Sequence, residues 1–161
     1  MGALIDSGSF VIKAWNHVVD FVVQQENGET LRVPLVYTGV RAGPIHLRVE
    51  FLESREEADV FDWEDLLELS LALPAGRAYF GESGGADRHE VGTIPAGEEG
   101  AYRARLHAMG RDRAFDAPVK SPRERHLVQL WKEPQSPVAV LASGSEHAVG
   151  AARLAKMWHQ E

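Results

Sequence analysis

Residues 98–112 read EEGAYRARLHAMGRD. Tyr102, Ala104, Leu106 and Ala108 alternate there with Arg103, Arg105 and His107, the period of two that gives a β-strand one apolar and one polar face. "IHLRVEF" repeats the pattern, with Ile45, Leu47, Val49 and Phe51 on one side and His46, Arg48 and Glu50 on the other. "LELSLAL" sets Leu67, Leu69, Leu71 and Leu73 against Glu68, Ser70 and Ala72. Antiparallel sheets with one face on a core and one in water carry this signature. The basic side of residues 103–107 is accordingly expected in solvent.

Shorter strands are predicted at 9–15, 17–24, 31–37, 77–81, 88–94, 124–131 and 138–141. Pro34 confines the third of these to a sheet edge, because proline cannot donate to a ladder. Turn residues fall between them at 26–29, 41–44, 82–87 and 95–100. Short strands at this spacing predict an all-β fold over residues 1–142, an antiparallel two-sheet sandwich of immunoglobulin-like or jelly-roll-like kind. Residues 143–161 read as a C-terminal helix, with Ala151, Leu154, Ala155 and Trp158 on one stripe. Ser143 and Glu146 stand at capping-box spacing, and Arg153, Lys156 and His159 lie toward the favourable end of the helix dipole. So narrow a stripe needs a surface to dock on, which places the helix on the same domain. A shorter helix at 62–68 competes with the strand beginning there.

Glu98-x-Gly100-x-Tyr102 resembles the tyrosine corner of immunoglobulin-like sandwiches, where a small residue and a tyrosine precede an inner strand. The resemblance implies that the Tyr102 ring enters the core while its hydroxyl satisfies a backbone group at the corner. It also puts Ala104 where disulfide-bearing relatives have cysteine.

The chain of 161 residues contains no cysteine, which removes disulfides, thiolate nucleophiles and zinc fingers from consideration. A cytoplasmic setting is expected on that basis. Apolar runs all fall well short of the roughly 18 residues that a membrane span needs. "MGALIDSGSF" lacks the basic and apolar regions of a signal peptide. Net charge is −7, which argues against a nucleic-acid partner. The sign is unevenly spread: residues 50–68 hold nine acids and one base, residues 101–132 eight bases and three acids.

Catalytic signatures are lacking. "ESGGA" and "ASGSE" have no G-x-S-x-G elbow, and Gly84-Gly85 belongs to no phosphate loop. Seven histidines show no H-x-H or H-x-x-x-H spacing, although His107 and His126 lie on strands expected to be neighbours. That pair underlies one alternative, a small metal-dependent hydrolase or cupin-like enzyme. A carbohydrate- or ligand-binding sandwich is a second. The basic segment 110–125 reads as a long loop with Phe115 expected to tuck down. No cofactor is expected.

The most unusual composition is "ESREEADVFDWEDLLE" at 53–68. Phe61 and Trp63 ringed by Glu56, Glu57, Asp59, Asp62, Glu64 and Asp65 form a candidate partner-binding epitope, since aromatic anchors among charges are what hot spots look like. The segments at 63–71, 94–97, 101–112 and 124–134 together resemble small, uncharacterised proteins of actinobacterial type with a YRVRVHARGRD…EYLIQVWPAP-like signature. More distantly, strand order and corner are similar to competence protein J-type nuclease inhibitors and to immunity proteins of bacterial toxin systems. Those families imply a non-catalytic protein-binding module whose acidic surface neutralises a basic toxin or nuclease.

Overall fold

The alternating segment forms the strand its pattern demands, and strands form at every other stretch named above. The computed structural model describes residues 8–82, 85 and 87–159. Among these lie β1 (Gly8–Trp15), β2 (Val18–Gln24), β3 (Thr30–Tyr37), β4 (Ala42–Phe51), β5 (Asp65–Leu73), β6 (Gly76–Glu82), β7 (Arg88–Ile94), β8 (Gly100–Met109), β9 (Arg125–Lys132), β10 (Ala139–Ser143) and α1 (Ala148–His159). Residues 62–64 are not helical, and β5 begins at Asp65. Half of the turn expected at 82–87 lies outside the described residues.

Hydrogen bonds join all ten strands into one sheet instead of dividing them between two. One arm runs β10-β5-β8-β9-β4-β1, and the other runs β3-β2-β6-β7. The arms meet at a single ladder position, Trp15 opposite Val18. Asn16 and His17 turn the chain there with φ of 54° and 68°, positive at both central positions as a type I′ hairpin requires. Pairing is antiparallel except between β4 and β9, which run parallel. Their connection is long enough to contain β5 to β8, as a parallel crossover must be.

Apolar residues of both arms share one core, in which Val19, Phe21, Leu35 and Phe80 of one arm are buried with Leu47, Leu69, Ala104 and Leu130 of the other. Pro34 sits in β3, whose pairing is to β2 alone, as an edge position predicts. The tyrosine corner is formed: Tyr102 is 1% exposed, and its hydroxyl donates to the Glu98 carbonyl at 2.7 Å.

Helix α1 packs against β3, β5 and β10, burying Ala148, Ala151 and Ala155. The Trp158 side chain, expected on the same stripe, lies outside the described ones. The Ser143–Glu146 capping box does not form, because Ser143 ends β10. Asp112 accepts the Glu146 amide instead, at 2.8 Å. Among the described residues no helix is long and apolar enough to cross a membrane.

Candidate partner-binding loop and the charged face beneath it

The basic face of β8 is not solvated, contrary to the sequence expectation. Arg103, Arg105 and His107 are each 2% exposed. Two irregular segments, 52–64 and 133–138, lie over that face and supply the groups that bury it. Glu68, on the same face of β5, accepts from Arg105 Nε at 2.9 Å, Arg103 Nε at 3.3 Å and both terminal nitrogens of Arg55 at 3.0 Å. Arg103 also donates to the carbonyls of Ser136 and Pro137, each at 2.8 Å. Such pairing is what permits charge inside a protein at all. Burial works to raise the Glu68 carboxyl, but hydrogen bonds from Arg55 and Arg105, with their charges, hold it below the usual carboxylate range.

Two guanidinium groups lie over the ring of Trp131 in β9, Arg55 at 5.1 Å and Arg105 at 5.0 Å from its centre. Its indole donates to Glu133 at 2.9 Å. Glu133 also grips Arg55 through two bonds, at 3.0 and 2.7 Å. Those bonds, against slight burial and with the indole's help, lower its pKa to about 2.

Arg55 thus pins one end of the 53–64 loop to the sheet. Trp63 pins the other, edge-on to His107 at 5.3 Å and beneath the Arg125 guanidinium at 4.4 Å. Between the pins, Asp59 Oδ1 accepts the amides of Phe61 and Asp62 at 3.1 and 3.3 Å, a local turn that fixes the tip. Hydrogen bonding to Asp59, and repulsion from it, raise the Asp62 carboxyl, while that of Asp59 is lowered. Glu56, Glu57, Asp59, Phe61 and Asp62 face solvent, Phe61 at 93% exposure.

Three residues of the expected epitope lie elsewhere in the frame. Trp63 is half-buried as the loop's foot. Half-buried Glu64 accepts the Gly110 amide at 2.9 Å. Asp65 is 4% exposed, with Arg111 at 2.8 Å and the Ser145 hydroxyl at 2.7 Å on its carboxylate, so it braces the loop's root and offers no surface charge.

His107 and His126 do not converge. His126 pairs with Ala108 and His107 with Leu127, so the two rings leave opposite faces of the sheet. His107 Nδ1 faces the Leu127 carbonyl at 3.0 Å, and His126 Nε2 meets Glu124 at 2.7 Å. Burial lowers the pKa of both rings. Burial also works to raise Glu124, but His126 and the amides of Gly39 and Val40 outweigh it and keep the carboxyl low. The Glu124 carboxylate thereby ties the 38–41 connection to the start of β9, a clamp no motif announces. Phe115 is 43% exposed, neither tucked nor free: it stacks on His147, ring centres 3.4 Å apart and planes within 3°.

An open trough of about 790 Å³ lies where three turns converge, lined by Gln24, Asn27, Pro74, Arg77, Tyr79 and Pro95 among others. Tyr79 is its one aromatic, and Arg88 lies over that ring at 5.4 Å. The row of exposed aromatics on a concave sheet that a sugar-binding sandwich needs is not among its lining residues.

No protein-family model and no curated protein matches the sequence. Among solved structures, the protein called crocagin biosynthetic gene J is similar, with a TM-score of 0.52 and 14% identity over 83% of this chain and 100% of that one. That likeness is one of fold alone.

Proposed function

We propose that this chain is a non-catalytic, cytoplasmic protein-binding module, an immunity or inhibitor protein that neutralises a basic toxin or nuclease through the loop at 53–62. The two arms are the layers of an immunoglobulin-like sandwich in this reading, with the loop at its surface. One observation carries the proposal: a phenylalanine 93% exposed, set among four solvent-facing carboxylates, on a loop held at both ends. An exposed ring is an unfavourable resting state that burial in a partner relieves. A loop already fixed in shape loses less entropy on docking than a free one. Carboxylates presented where phosphates would sit raise the association rate toward a cationic nuclease and exclude acidic partners.

The test is calorimetric titration against a cationic nuclease, with inhibition of its cleavage as a second readout. Reversing Glu56, Glu57 and Asp59 to Lys is expected to weaken binding at least tenfold, about 1.4 kcal/mol per tenfold. Unchanged affinity and inhibition would reduce the loop to a solvated connection.

A further inference from the structure

The covering segments leave part of the outer sheet face bare. On β1 that face carries Ser9, Val11, Lys13 and Trp15, with Val11 and Trp15 each 54% exposed. On β4 it carries Pro44, His46 and Arg48, which the register sets opposite Lys13, Val11 and Ser9. On β9 it begins with Arg125, beside His46 in the parallel ladder. Arg48 bonds Glu50 at 2.9 Å, so one carboxylate already belongs to the face, but Lys13, His46 and Arg125 point outward from it. A dent of about 260 Å³ opens here, lined by His46, Arg48, Trp63 and Arg125 among others. Cavities of roughly 150 Å³ already admit a benzene ring, so this one has room for a phenyl side chain.

The bare face is therefore cationic and apolar with a ring-sized recess. The loop at 56–62 is anionic and apolar with an exposed ring. The two adjoin one another, because Trp63 is both the foot of the loop and a wall of the recess. A surface that carries a patch and its complement side by side is matched by a second copy of itself about a two-fold axis, the same contact then being made twice. We propose that the chain forms a symmetric dimer in which the Phe61 loop of each copy seats on the β1–β4–β9 face of the other. The net charge of −7 repels copies in most orientations, which confines association to this complementary one. A two-fold pair of this kind hides both loops until a more cationic partner displaces them. It goes beyond the inhibitor reading and is measured independently of it.

Sedimentation equilibrium at near-physiological salt, from about 1 μM to about 1 mM, covers weak to moderate association. The mass is expected to rise from 17.8 kDa toward twice that value. A loop variant, Glu56→Arg with Glu57→Arg, and a face variant, Lys13→Glu with His46→Glu, should each associate at least tenfold more weakly. Mixing the two should restore dimers, because each loop then meets a face of opposite sign. Circular dichroism melts establish that both variants fold. A mass of 17.8 kDa throughout, or two weakened variants that stay monomeric when mixed, overturns the proposal. The face variant leaves the loop intact, so it loses the dimer while retaining nuclease capture. Loss of nuclease capture with dimers intact would count against the inhibitor reading alone.

Discussion

Glu68 is the residue on which the covered face depends. Arg103 and Arg105 are 2% exposed and share its carboxylate, so Glu68→Gln strands two buried guanidinium groups with only neutral partners, carbonyls, the Ser70 hydroxyl and the Gln129 amide. Breaking a buried pair in this way costs about 3–5 kcal/mol, and urea denaturation should show it. A loss below about 1 kcal/mol would mean that carbonyl acceptors suffice for both arginines. The acid limb of stability has two stages. His107 and His126 have pKa values pushed below the usual 6.5, so protons bind the unfolded chain better and stability falls as pH drops below 6.5. Glu68, Glu124 and Glu133 have lowered carboxyls, whose contribution is complete above 4.5 and is lost as pH falls, for Glu133 toward about 2. His107→Gln, which can still donate to the Leu127 carbonyl, should shrink the upper stage to the part His126 contributes and leave the lower one, as a series of melts between those limits would reveal. Tyr102 was legible in the sequence because its partner lies four residues away. The pairing of Arg103 was not, because Glu68 and Ser136 lie 35 and 33 residues distant and nothing local ties them together.

At the scale of elements, period-two alternation located β4, β5 and β8, each of which buries one apolar face on the shared core, whereas β2 is buried at successive positions and β10 has no buried residue. Alternation misplaced the solvent for β8, because it marks two faces without saying whether an irregular segment will cover the polar one. Pro34 located an edge, while the parallel β4–β9 pair left no trace, its register being set by side chains far apart in the chain. The helix was legible in its stripe and misread in its cap, since Asp112 arrives from another loop. The 53–64 loop owes its shape to the Arg55 and Trp63 pins more than to its own composition. Arg55→Ala should speed proteolysis and amide exchange within 56–62 at least tenfold, a local opening of about 1.4 kcal/mol. Because Arg55 is 46% exposed on its side chain, the global loss should be no more than about 1 kcal/mol. Unaltered exchange in the loop would mean that the Asp59 turn holds it alone.

For the whole molecule, one ladder position joins two arms whose apolar residues share a single core. Neither arm can bury its inner face without the other, so thermal and urea unfolding should each show one transition, with calorimetric and van't Hoff enthalpies equal. Two resolved transitions would mean that the arms are independent folding units. The parallel neighbour of β4 has a consequence during synthesis. Ribosomes add about 5–20 residues per second, and roughly seventy residues separate the end of β4 from the start of β9, so the nascent chain holds one β4 edge unmatched for on the order of ten seconds. Throughout that interval the half-made polypeptide presents a template for wrong partners, and a cell that makes this protein must shelter it until translation has passed residue 132.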